Sequence, residues 1–154
     1  MKRLLLRLAY RLYRWQAWLT RPIMLGVRII LVQNDQVLLV RHSYQDHWYF
    51  PGGAVKRGET LVQAAMREAL EEAGATFVAE PTLLGVYTSF YEGKSDHIAV
   101  FYSDTFVIAT PTDRWEIAQR ATFALDSLPA DLSPGTSRRL RDYLAGAGPY
   151  SGKW

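Results

Sequence analysis

The chain contains no cysteine. Disulfides, thiolate metal sites and a cysteine nucleophile are therefore excluded. No apolar run reaches the roughly 20 residues that a membrane-spanning helix needs. Histidine is scarce: His42, His47 and His97 are the only three. They have no common helical spacing, so no histidine ligand cluster is expected, and each reads as structural or exposed. Ser43, Ser89 and Ser95 lack the strand–turn–helix setting of a nucleophile elbow, which leaves serine hydrolase chemistry unsupported. Acidic residues are missing from positions 1–21, a segment that holds Lys2, Arg3, Arg7, Arg11, Arg14 and Arg21. Those six of the 18 basic residues carry the positive balance; the remainder has 12 basic against 15 acidic residues, or −3, within a chain of net charge +3. The mildly acidic body does not look like a nucleic-acid-binding surface, so no nucleic acid polymer is expected as a partner. Arginine recurs every few residues in the basic segment, which denies it the apolar core of a secretory signal. A cytoplasmic location is the expectation, with peripheral membrane contact left open.

A length of 154 residues, 49% hydrophobic and 21% charged, suits one globular domain with one core. Residues 3–19 have helical periodicity. Leu4, Leu8, Leu12, Trp15 and Leu19 recur on one face, with Arg3, Arg7, Arg11 and Arg14 beside it. Arg21-Pro22 ends this helix, because the residue before proline is pushed out of the helical region. Residues 1–21 thus form a basic amphipathic helix ahead of a domain spanning 22–154. The apolar face suits packing on its own domain or on a second copy in a homodimer, with arginine stems covering the edge of the stripe. It also suits an interfacial helix on an anionic membrane, with Trp15 and Trp18 near the headgroups. Packing is the expected outcome.

Two strands are expected at 27–33 and 37–42, turned by Asn34-Asp35. A short extended stretch follows at Trp48-Tyr49-Phe50, and Pro51-Gly52-Gly53 opens a loop that runs to Gly58. The next helix is marked at both ends: Thr60 with Gln63 makes a capping box, and Gly74 is a C-cap. Strand-like runs cover 83–90 and 97–108, and 121–125 reads as the last strand. Ser133-Pro134 opens a carboxy-terminal helix that ends at Gly146 and Gly148.

The central helix carries the chemistry. Glu68, Glu71 and Glu72 fall within roughly a 100° arc of a regular α-helix. Val62, Ala65, Ala69 and Ala73 occupy the adjoining arc and would face the core. Carboxylates at these spacings repel one another, and Glu71 and Glu72 lie in the last turn, where the helix dipole disfavours negative charge. A divalent cation would offset both costs, and oxygen ligands without cysteine favour Mg²⁺ or Mn²⁺. The alternative is a solvated acidic face.

Gly53, Glu59 and the run Arg67-Glu68-Ala69-Leu70-Glu71-Glu72-Ala73-Gly74-Ala75 together resemble the Nudix box, G-x5-E-x7-R-E-U-x-E-E-x-G-U, where U is a bulky aliphatic residue. Every charged and glycine position matches; Ala69 and Ala75 are smaller than the pattern's aliphatic residues. The resemblance extends over about residues 24–145. It implies an α/β/α sandwich with a mixed sheet, and a Mg²⁺- or Mn²⁺-dependent pyrophosphohydrolase. The substrate would be a nucleoside diphosphate joined to another group: a nucleotide sugar, a nucleoside triphosphate or a dinucleoside polyphosphate. It also implies metal ligation by Glu71, Glu72 and the Gly53 carbonyl, with Glu68 as a ligand or the general base. Arg67 would orient a neighbouring glutamate, Glu59 would brace the loop, and Gly74 would close the helix. By likeness to some members, Arg41 is a candidate phosphate contact and Glu116 a candidate further ligand. Tyr91, about sixteen residues past the box, occupies a place linked to substrate choice. Tyr44, Trp48, Tyr87, Phe90 and Tyr91 could offer a stacking surface for a base. The rival readings are a catalytically silent nucleotide-binding module on the same fold and a membrane-surface protein built round the first helix.

Overall fold

The computed structural model describes residues 2–20, 23–90, 95–112 and 115–154. Helix α1 (Lys2–Thr20) comes first. Strands β1 (Ile23–Gln33) and β2 (Gln36–His42) form the expected hairpin. Asn34 and Asp35 turn it at φ 53° and 57°, the paired left-handed conformation that matches the twist of two-residue hairpins. Helix α2 runs from Leu61 to Glu68, and its last turn, Ala69–Ala73, widens into a π-turn. Strands β3 (Ala75–Phe77), β4 (Thr82–Ser89), β5 (Ser95–Ser103), β6 (Phe106–Ile108) and β7 (Ile117–Ala124) follow, then α3 (Pro134–Ala145) and β8 (Tyr150–Lys153).

The main sheet has six strands in the order β7-β2-β1-β5-β4-β8, and β3 pairs with β6 in a separate ribbon. It is mixed: β1 lies parallel to β5 and β4 parallel to β8, while the other neighbours are antiparallel. Period-2 alternation along β1 and β2 builds two cores. Val27, Ile29, Leu31, Leu38 and Val40 face Ala64, Ala65, Ala69 and Ala73 of α2. Ile30, Val32, Val37 and Leu39 face the other way, onto Trp48, Phe50 and Leu140 of α3. The sheet is thus sandwiched between helices, as the resemblance implied.

Several sequence expectations need correction. The run 97–108 is two strands in two different sheets, broken at Asp104-Thr105. The run at 121–125 is, up to Ala124, the end of β7 and is not the last strand; β8 follows α3 and pairs with β4. The acidic helix is not regular to its end. Of the stripe expected on α1, Leu8, Leu12 and Trp15 are exposed and do not pack on the domain, while the side chains of Leu4 and Leu19 lie outside the described residues.

Candidate active site

Beyond its short pairing with β2, strand β1 takes a different partner. The loop after Phe50 runs beside it: Val27 N–H donates to the Gly53 carbonyl and Ile29 N–H to the Pro51 carbonyl, both at 2.9 Å, and Val55 N–H donates to the Leu25 carbonyl at 3.0 Å. This close approach needs bare backbone. Gly52 has φ 146°, and a Cβ there would lie 2.2 Å from the Val27 carbonyl oxygen. A Cβ on Gly53 would lie 2.7 Å from Glu68 Oε1. The two glycines therefore set the loop against both β1 and the acidic side of α2.

The capping box holds the start of α2. Gln63 N–H donates to Thr60 Oγ1 at 3.2 Å and Thr60 N–H to Gln63 Oε1 at 2.9 Å. At the other end Gly74 takes φ 69°, and Arg120 of β7 donates to the Ala73 carbonyl and, at 3.0 Å, to that of Ala109. An arginine there meets both the unpaired carbonyls and the negative end of the helix dipole.

Between loop and helix lies a cleft of about 340 Å³ whose walls include Arg28, His42, Gly53, Glu68, Glu72 and Glu116. Glu72 is buried and accepts a hydrogen bond from Gly52 N–H at 2.9 Å. Burial lifts its carboxyl to about 8, against the opposing pull of Arg28 and the Gly52 N–H; the nearby Glu68 and Glu116 add to the rise. Burial also raises Glu68, partly offset by Arg67. His42 Nδ1 stands 3.8 Å from Glu72 Oε1 and 3.9 Å from Glu116 Oε1. Donor atoms of His42, Glu72 and Glu116 all lie within 4.8 Å of one another, a set that could hold a divalent cation. Tyr44 stacks on His42 at 5.3 Å and donates its hydroxyl proton to Glu116. Burial, followed by that carboxylate, raises the Tyr44 phenol far above its ordinary range.

Arg67 is the hub beneath this wall. It donates to Glu59 at 2.6 and 2.9 Å, to Glu68 at 2.6 Å, to Glu71 at 3.0 Å and to the Ala54 carbonyl at 3.1 Å. Glu59 also accepts from Lys56 N–H at 2.9 Å. The Arg67 hydrogen bond, then that of Lys56, pulls its carboxyl down to about 2. One guanidinium thus ties the loop to three glutamates.

Of the expected site residues, Glu68, Glu72, Glu116 and Gly53 line the cleft together. Glu71 is placed differently: it is part-exposed, and its partners are Arg67 and Lys56, whose Nζ is 3.7 Å away. Arg41 does not line the cleft. It pairs with Asp131 and lies over the Trp48 ring at 4.6 Å. Tyr91 lies outside the described residues. Of the aromatic candidates, Tyr44 reaches the cleft, whereas Trp48 and Tyr87 belong to the core on the α3 side.

Sequence reasoning missed His42 and Arg28. The sequence predicts a structural or exposed His42; the structure buries it beside Glu72 and Glu116. Its position depends on a register shift between Arg41 and His42, where β2 and β7 slip past one another. Such bulges re-aim side chains beside functional sites and leave no mark in a linear pattern. Arg28 did carry a signal, as a lone cation inside an apolar strand. It donates to the carbonyls of Phe50 at 3.0 Å and Gly52 at 2.7 Å, and it is the main charge opposing the rise of Glu72.

Comparison with known proteins agrees with this geometry. The NUDIX domain profile matches residues 22–143. A Bacillus subtilis protein named "Putative 8-oxo-dGTP diphosphatase" is 31% identical over 119 residues, covering 77% of this chain and 78% of that protein. An RNA pyrophosphohydrolase of Legionella pneumophila is 49% identical, but over only 51 residues and 29% of its length. The solved Nudix hydrolase of Nitrosomonas europaea superposes with a TM-score of 0.71 at 25% identity, covering 84% of this chain and 98% of that one. With the NUDIX domain matched over most of its length, and Gly53, Glu68 and Glu72 of the box lining one acidic cleft, the chain belongs to the Nudix hydrolase family.

Proposed function

We propose that the chain hydrolyses a phosphoanhydride bond of a nucleoside diphosphate derivative, using Mg²⁺ or Mn²⁺. The observation that carries this reading is the approach of Glu72, Glu116 and His42 to within 4.8 Å in a cleft also walled by Glu68. Glu72 is buried and Glu116 exposed; carboxylates this close repel one another, and a hard cation offsets the repulsion. Glu72, Glu116 and the Gly53 carbonyl are the proposed ligands on the cleft wall, with His42 beside them. Glu71 keeps a proposed part as ligand on the family resemblance alone. When bound, the cation neutralises pyrophosphate oxygens and acidifies a water molecule.

The chain's own residues do the rest. Arg67 holds Glu68 in place, and burial brings the Glu68 carboxylate nearer to the working pH of a base. Glu68 takes a proton from the attacking water as its oxygen bonds to phosphorus. The bond from that phosphorus to the bridging oxygen breaks, and the second phosphate leaves with the electron pair. No side-chain nucleophile is needed, so hydrolysis in ¹⁸O-water places one label in a phosphate product; a trapped phosphoryl- or nucleotidyl-enzyme would contradict the step.

Nucleoside triphosphates are the first choice of substrate, because the relative aligned over most of both chains is named for 8-oxo-dGTP. The test is a phosphate-release screen over canonical and oxidised nucleoside triphosphates, nucleotide sugars, dinucleoside polyphosphates and a 5′-triphosphorylated RNA oligonucleotide, with and without Mg²⁺. Cation-dependent release from a nucleoside triphosphate is expected. Nucleotide binding without release from any member of the panel would favour the silent-module reading instead.

A further inference from the structure

Helix α1 has two faces with different fates. Tyr10 meets the domain: its ring stacks on Tyr44 at 4.9 Å, and its hydroxyl accepts from Gln45 Nε2 at 3.3 Å. Arg7 donates to Asp46 at 3.2 Å on the same side. At about 100° per residue, Leu5, Leu8, Leu12 and Trp15 lie roughly 140–160° round the helix from Tyr10. They are 70%, 51%, 67% and 65% exposed. The domain therefore fixes the polar-aromatic side of α1 and leaves its leucine and tryptophan stripe facing outward. A continuous apolar stripe on an otherwise folded chain marks a contact surface.

Charge decides what covers it. Residues 1–21 hold six basic residues and no acid. Arg11 lies about 80° from the centre of the stripe, close enough for its aliphatic stem to lie along the apolar edge while its guanidinium reaches out. Pairing two copies of α1 stripe to stripe would bring two all-basic helices together, a like-charge arrangement. An anionic lipid surface answers both features: acyl chains take the leucines, the headgroups take Arg11 at the edge of the stripe, and the net positive charge of the segment adds a longer-range attraction. The rest of the chain has net charge −3, so such a surface repels it and attachment is confined to α1.

We propose that α1 is an interfacial helix that docks this chain on anionic membranes through Leu5, Leu8, Leu12 and Trp15, with Arg11 at the headgroups. Tyr10 and Tyr13 of the same helix line the cleft, so docking also holds one wall of the candidate active site.

The test is co-sedimentation of the full chain with vesicles of phosphatidylglycerol and phosphatidylcholine, against phosphatidylcholine alone, at low and high salt. Binding is expected only with phosphatidylglycerol and falls as salt rises. Leu12→Glu places a charge in the stripe and should weaken binding by tenfold or more, by about the free energy of burying that side chain. Arg11→Glu should weaken it about fivefold or more for each charge lost. Circular dichroism of both variants without vesicles should match the parent, which separates lost docking from lost folding. The proposal is overturned if the parent fails to bind phosphatidylglycerol vesicles, or if folded Leu12→Glu binds as well as the parent. It is also overturned if the parent forms a concentration-dependent dimer that Leu12→Glu dissolves while vesicle binding is absent.

Discussion

Two glutamates near the cleft are driven in opposite directions. Glu72 is buried and its carboxyl rises to about 8, whereas half-buried Glu59, held by Arg67 and the Lys56 N–H, falls to about 2. A depressed folded-state value means that Glu59 adds stability above the ordinary carboxylate value of about 4.5, and that this contribution disappears as pH falls from there towards 2. The difference in Tm between the parent and Glu59→Gln should therefore be constant above pH ~5 and narrow on acidification. A difference that ignores pH over that window would remove Glu59 from the loop brace. Glu72→Gln removes a buried carboxyl, so the metal-free fold should hold or gain stability while turnover drops by roughly 10² or more. Wild-type turnover at ordinary Mg²⁺ would refute its part as a ligand. Glu68→Gln separates base from ligand. If Glu68 takes the proton, kcat falls by ~10²–10⁴ while the Mg²⁺ concentration for half-maximal rate stays put. A shift in that concentration would make Glu68 a ligand.

At the scale of elements, legibility followed locality. The Asn34-Asp35 hairpin, the Thr60–Gln63 capping box, the Ser133-Pro134 helix start and the Gly74 and Gly146 caps each depend on a few adjacent residues, and all appear in the structure. The π-turn, β3 and β8 were missed because their cause is tertiary. β3 and β6 are three residues each and exist through their mutual pairing. The π-turn lies where Glu72 is pinned by Gly52 N–H and the alanines on the same turn pack into the core, in a helix with no proline to announce an irregularity. The two helix-ending glycines offer a test of how much tertiary setting adds. Gly74 and Gly146 have nearly equal φ, 69° and 67°, but a Cβ at Gly74 would meet the Ala109 carbonyl oxygen at 2.1 Å, and one at Gly146 would meet nothing within 4 Å. Gly146→Ala should cost about 1 kcal/mol in urea unfolding, the strain of the backbone alone. Gly74→Ala should cost clearly more, and equal costs would show that the backbone at Ala109 yields freely.

Across the whole molecule, the cleft is assembled from segments remote in sequence: β1, the loop 51–55, α2, the end of β2, Glu116 before β7, and α1. The box was legible because its residues sit within one loop and helix. His42 and Arg28 became site residues only when β2 and β1 delivered them to the same end of the sheet. Helix α1 shows the same split, since its periodicity was plain but the direction of its stripe was not. Among the described residues, neither core cluster contains one from α1. Deletion of residues 1–20 should therefore leave Tm within a degree or two, equivalent to well under 1 kcal/mol for a domain of this size. The deletion also takes Tyr10 off Tyr44 and strips Tyr10 and Tyr13 from the cleft wall. Tyr44 keeps its hydrogen bond to Glu116 but loses its stacking cover on that side, so substrate affinity should weaken while the chemical step, which rests on residues of the domain, is spared. The expected kinetic result without vesicles is a raised KM with kcat nearly unchanged. A large fall in Tm would instead make α1 part of the folded core, and an unchanged KM would place its tyrosines outside the path of the substrate.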